Sequence, residues 1–286
     1  MARIAVVVVI SALAFAAGSS AASPDVQAMN LQAADVPGAK IVNQRAVTES
    51  GYTAAHARTF VFAAPNKGSH LIELDSETAL ADSTAKVSAD VASIEKPLHS
   101  PAGRKALVAA VARGAKVKVK NVALGQPHKV AGFDQGFEIA VSLPIKGRRA
   151  YENLIVLRLD RVLVEMVEIG TRPITITGKY AGAIARHIAT ELSPTGIAAP
   201  SVTGTAQQGQ ALTASPGTWT ASDATFAYQW QHCDAAGANC ADIAGATAQT
   251  YTVTPADVGA TLHVVVKATN RFGSAAALSA PTAIVS

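Results

Sequence analysis

The chain is poor in what usually announces chemistry. It holds two cysteines, Cys233 and Cys240, in 286 residues, too few to build a structural metal site without recruiting other ligands. No G-x-S-x-G, H-E-x-x-H, Walker loop or dinucleotide fingerprint occurs, which removes the common nucleophile, zinc-protease and nucleotide signatures. One S-x-x-K, Ser83 to Lys86, lacks the K-T-G strand that acyl-transfer serine enzymes need, since residues 177–179 read T-G-K. Ser83 therefore reads as an ordinary helix residue. Charged residues make up only 15% of the chain, too few for a disordered polyelectrolyte, so a packed globular product is expected.

Long apolar runs are also missing, apart from Ile4 to Ala17 behind the single charge of Arg3. That run is shorter than the ~20 residues a spanning helix requires. With Ser20, Ala21 and Ala22 after it, residues 1–22 read as a secretory signal peptide cut before Ser23. No transmembrane segment is expected after cleavage, and the product should be secreted, extracellular or in the bacterial envelope. About 264 residues would remain, room for two domains.

The seam lies in ELSPTGIAAPS (191–201), where helical periodicity stops and two prolines bracket small residues. The expected division is an α+β domain over 23–195 and an all-β domain over 196–286. Charge divides there too. From Ile197 onward two bases face four acids, whereas the rest of the chain, less Arg3, holds 21 bases and 16 acids. In the first domain Ala57 to Phe62 and His70 to Leu74 read as strands, and Leu80, Thr84, Val87, Val91 and Ile94 recur at helical spacing. A second helix should start at Ser100-Pro101. Strands follow at Lys116 to Leu124, Phe133 to Leu143, Tyr151 to Leu159 and Val162 to Ile169, the last two joined by a hairpin at Asp160-Arg161. Thr177 can cap a final helix with Ala181, Ile184, Ala185, Ile188 and Leu192 on one stripe. The class is helices on an antiparallel sheet. This element order, opening on LQAADVPG (31–38), resembles the PsbP/Mog1-like domains of secreted bacterial proteins. That resemblance implies a non-catalytic binding or accessory module.

After the seam, short apolar runs recur at sandwich spacing. Phe226, Tyr228 and Trp230 alternate on one strand, Tyr251 and Val253 on another, and Leu262, Val264, Val266 and Ala268 on a third. With GTAQQGQALTASPGTW and the stretch YQWQHCDAAGANC through KATNRFGSA, residues 200–285 resemble the immunoglobulin-like repeats of extracellular proteins of high-GC bacteria. The resemblance puts Trp230 in the place of the buried sandwich tryptophan. It also leaves Leu212 and Val264 as apolar substitutes for the inter-sheet cysteines, and DVGATL without a tyrosine corner.

Cys233 and Cys240 enclose DAAGAN, whose glycine and asparagine favour a reversal. In an exported chain the expected fate is a disulfide, worth about 2.5 kcal/mol on the loop-entropy estimate. A zinc site would need His232 and His263 as well. His232 must face away from its strand neighbour Cys233, so no metal and no cofactor is expected. Glu165 and Glu168, three apart on a strand, point to opposite faces and read as solvated sheet residues. His70, His99 and His128 are scattered.

One segment stands out. Arg104, Lys105, Arg113, Lys116, Lys118, Lys120 and Lys129 are seven bases with no acid among them. On a strand, Lys116, Lys118 and Lys120 would share one face, with Val117 and Val119 turned inward. Such a row either guards an edge against aggregation or binds anions. The partners it would suit are an anionic cell-wall polymer, an acidic glycan, lipid headgroups or another envelope protein. Nucleic acid is disfavoured by export and by the lack of interleaved aromatics on that strand. Two functions follow: a secreted, non-catalytic binding or adhesion protein, or an exported hydrolase-like enzyme with catalytic residues dispersed in the first domain.

Overall fold

The computed structural model describes residues 24–48, 51–62, 71–145, 148–173 and 177–286. The expected leader and His70 lie outside these. The described chain divides into two compact units, Asp25–Ile188 and Ala189–Ser286. No helix among the described residues is long and apolar enough to cross a membrane.

In the first unit eight described strands form one sheet with antiparallel pairing throughout. They are β1 (Ala39–Val47), β2 (Tyr52–Phe62), β3 (Leu71–Ala81), β4 (Ala123–Leu124), β5 (His128–Lys129), β6 (Gln135–Ile145), β7 (Arg148–Leu159) and β8 (Val162–Gly170). The order is β1-β2-β3-β8-β7-β6-β4, with β5 also on β6. The β7–β8 hairpin turns at Asp160-Arg161 as its spacing suggests, and Asp160 takes φ +55° there.

Helix α1 (Val26–Met29) and its sequel are pinned to the sheet by Asn30. This fully buried amide donates to the carbonyls of His56 and Ser76 at 2.8 and 3.0 Å and accepts from Leu31 N and Ser76 Oγ. Helix α2 (Thr84–Leu98) starts one residue after Ser83, whose Oγ accepts from Lys86 N at 3.3 Å. The S-x-x-K pair is thus a helix cap, and Lys86 Nζ turns to Asp90. Leu80, expected in this helix, belongs to β3 instead. Helix α3 (Pro101–Gly114) is capped by Ser100 as read. A Cβ on Gly103 would stand 2.2 Å from the Pro97 carbonyl oxygen, so only glycine lets α3 leave α2 so closely.

Side chains alternate across the sheet, and this sorts the core. Ala55, Ala79, Leu163, Val156, Phe137 and Ile139 share the face on which Val87, Val91 and Leu98 of α2 pack. The opposite face carries Arg58, Ser76, Met166, Glu168 and Asn153. Helix α4 (Thr177–Leu192) brings Tyr180 beside Glu168 on that side.

The expected strand from Lys116 is corrected by the structure. Only Ala123–Leu124 pairs, and Val119–Asn121 is a short 3-10 turn. The physical reason is the way α3 ends. Lys116 takes φ +55°, Lys116 N bonds Arg113 O and Val117 N bonds Ala112 O. That is a Schellman stop, with Val117 folded back near Val111. Lys116, Lys118 and Lys120 therefore share no strand face, and Val119 is 53% exposed rather than turned inward.

The second unit is antiparallel β. Strands β10 (Ser201–Thr203), β11 (Ala211–Ser215) and β15 (Thr250–Thr252) form one sheet. Strands β14 (Ala241–Asp242), β13 (Thr225–Cys233), β16 (Thr261–Asn270) and β17 (Gly273–Leu278) form another, while β9 (Gly196–Ala198) pairs β12 (Thr218–Trp219). The first two sheets share one core. Leu212 and Ala214 pack with Trp230, Leu262, Val264, Val266 and Ala268. Trp230 is fully buried, stacks on Tyr251 with centroids 5.5 Å apart, and donates Nε1–H to the Ala248 carbonyl at 3.0 Å. Tyr251 in turn donates to Asp257, which also accepts from Thr254 N and Oγ1.

Candidate functional site

Three places concentrate chemistry, and the basic segment comes first. Lys105, Arg113, Lys116, Lys118, Lys120 and Lys129 are all exposed. They are spread over α3, its terminating turn, the 3-10 turn and β5 rather than along one strand. Arg104 is not among the exposed ones. Its guanidinium donates to the carbonyls of Leu98, Leu124 and Gly125, so it buttresses the loop instead of facing a ligand.

The second place lies on the α4 face of the sheet. Glu168 was expected to be solvated; it is fully buried. Strand β8, between β3 and β7, is apolar at both parities and buried on both faces, the pattern of a strand covered on each side. That two-sided pattern was the available signal in the sequence. The Asn153 amide donates to Glu168 Oε2 at 3.3 Å and to Glu138 Oε2 at 3.1 Å, bridging two carboxylates from neighbouring strands. Burial pushes the Glu168 carboxyl up to about 7; the Asn153 bond opposes this and the Glu138 charge adds to it. Tyr180 is raised as well, by burial first and by Glu168 second. On the other face Glu152 is 3% exposed, and neither carboxylate oxygen has a hydrogen-bond partner. Desolvation alone raises it to about 7. Its nearest cross-strand residues are Val141 and Ile169, both apolar.

The third place is the cysteine loop. Cys233 and Cys240 form a disulfide with Cα atoms 4.0 Å apart, brought together by the pairing of His232 with Ala241 one step inside. Asp234 organises the loop: its carboxylate accepts from the amides of Ala236 and Ala238 and from Asn239 Nδ2. The Ala238 amide and the Asn239 side chain hold that carboxyl below its usual range. His232 pairs with Leu262, whereas Gln231 pairs with His263 and Cys233 with Thr261. Cys233 and His263 thus share a sheet face as diagonal neighbours, and His232 lies on the opposite one. Cys233, Cys240 and His263 each present a ligand atom within 4.8 Å of the others. His99 takes no part in any of these three groups, and His128 lies beside Lys129 in β5. His99 sits 3.6 Å from Glu95 in α2.

No protein-family model matches the chain, and no curated protein matches it significantly. Among solved structures, the chain is similar to the extracellular domain of PknH from Mycobacterium tuberculosis. Identity is 12% and the TM-score 0.37, over 59% of this chain and 95% of that one, a likeness too distant to carry a fold or a ligand across.

Proposed function

We propose that the chain is an exported, non-catalytic binding protein of two modules, which takes an anionic polymer such as a cell-wall polymer or acidic glycan on its basic segment. The observation that supports this reading is the run from Lys105 to Lys129, with six exposed bases and no acid between them. A run of exposed bases with no acid in its sequence raises the local concentration of polyanions and weakens as salt screens it. The disulfide accords with export to an oxidising space. The second unit is read as an immunoglobulin-like module. Its strand order β14-β13-β16-β17 against β10-β11-β15, with the fully buried Trp230 in their shared core, supports that reading. Another envelope protein would be met by the same surface.

The test is retention on an immobilised polyanion, with a salt gradient, for the chain and for a Lys116→Glu/Lys118→Glu/Lys120→Glu variant. The variant should elute at markedly lower salt. Equal elution positions would remove the segment as a binding surface.

A second reading has its own observation. Glu168, raised to about 7 and linked through Asn153 to Glu138, has the proton affinity of a general acid at neutral pH. An exported hydrolase could use this pair only where substrate reached Glu168, which is fully buried. Glycan hydrolysis by the wild-type chain that disappears in Glu168→Gln, with unaltered polymer retention, would establish it. A chain inert toward such substrates would leave the carboxylates a structural role.

A further inference from the structure

His263 has a feature the disulfide does not explain. Its Nδ1 lies 3.0 Å from the Ser279 carbonyl oxygen. A carbonyl only accepts, so Nδ1 carries the proton and neutral Nε2 is left with a lone pair. That Nε2 is buried without a partner, in a side chain only 5% exposed. It faces the cysteine loop, 3.8 Å from where a Cβ on Gly237 would stand. Buried acceptors are nearly always satisfied, so an orphan beside the cysteine loop calls for an explanation.

We propose that reduction of the Cys233–Cys240 disulfide converts this loop into a Cys2His site for a thiophilic divalent ion of the zinc class, with His263 Nε2 as third ligand and the fourth position open to water. The reductant is a dithiol. It gives two electrons and two protons to the disulfide, becoming a disulfide itself, and Cys233 and Cys240 become thiols. The ion then displaces both thiol protons to solvent and binds two thiolates and the neutral imidazole. The geometry is close to what is needed. Zinc sits about 2.3 Å from sulfur and about 2.0 Å from imidazole nitrogen, so tetrahedral ligands stand roughly 3.3–3.8 Å apart. The three ligand atoms here already lie within 4.8 Å of one another. The Ser279 carbonyl accepts from His263 Nδ1 and so fixes the tautomer and the ring, as metal-ligating histidines require. Cys233 and His263 stand on neighbouring strands of one sheet, while Cys240 is exposed at the loop end and supplies the movement that closure requires. The loop is a covalent clasp when oxidised and a metal clasp when reduced, independently of what the basic segment binds.

The experiment uses the full chain, reduced with a phosphine under argon, desalted and titrated with Zn2+ against a chromophoric chelator. Co2+ serves as the spectroscopic probe of tetrahedral thiolate ligation. The reduced chain should bind one equivalent with sulfur-to-cobalt charge-transfer bands, and the oxidised chain should show neither. His263→Asn keeps a donor for the Ser279 carbonyl but loses the ligand, and it should weaken Zn2+ binding at least tenfold. Should that variant fail to fold when oxidised, Cys240→Ser replaces an exposed ligand and should lose the charge-transfer bands. Zinc binding that is equal in the oxidised and reduced chains, or unchanged in the folded His263→Asn or Cys240→Ser variant, would overturn the proposal.

Discussion

Replacing Glu152 by glutamine tests a charge that burial disfavours in the first unit. In the folded chain burial raises this carboxyl to about 7, against an ordinary 4.5. Each tenfold change in proton affinity corresponds to ~1.4 kcal/mol, so ionised Glu152 costs the fold roughly 3 kcal/mol. The sign follows from linkage. Between the two values the folded chain binds more protons than the unfolded one, so stability falls as pH rises through that window. Below about pH 4.5 the carboxyl is protonated in both states and the penalty vanishes. Glu152→Gln should therefore be more stable than wild type by about 3 kcal/mol near pH 8 and nearly equal to it near pH 4.5, measured by urea unfolding. The probes separate the units, because both tryptophans, Trp219 and Trp230, lie in the second, whereas α2 and α3 lie in the first. Helical circular dichroism should show the pH-dependent gain while tryptophan fluorescence stays put. A gain of the same size at both pH values, or none at pH 8, would refute the claim that an uncompensated buried charge is present.

Other outcomes follow from single features. Lys116→Gly should stabilise the first unit by about 0.5–1 kcal/mol, since a non-glycine residue holds φ +55° at the end of α3, and thermal unfolding would register it. Trp230→Ala should cost about 3–5 kcal/mol in the second unit, because the indole is fully buried in the core shared by its two sheets. Denaturant unfolding followed by circular dichroism measures that loss.

The local signals in the sequence held where they concerned backbone chemistry. Ser100-Pro101 starts a helix, Asp160-Arg161 turns a hairpin, and the alternating Leu262, Val264, Val266 and Ala268 line one buried face. These depend on neighbours a few residues away, so composition and spacing suffice. The lysine row failed for a related reason. Alternation of lysine and valine looks like a strand, but the helix before it ends in a left-handed residue and consumes Val117 in its stop. Periodicity over five residues could not compete with that cap.

What the amino-acid order determined by itself was the start of α3, the turn between β7 and β8, the pairing of two near cysteines across a turn, and the charge contrast between the two parts of the chain. Only the tertiary structure decided which acids lose their water and which histidine meets the sulfurs. Glu168 is buried because β8 lies in mid-sheet beneath helices on both sides, and His263 reaches Cys233 because strand register places them diagonally. Burial and register arise from contacts between residues far apart in the chain, and no local pattern encodes them.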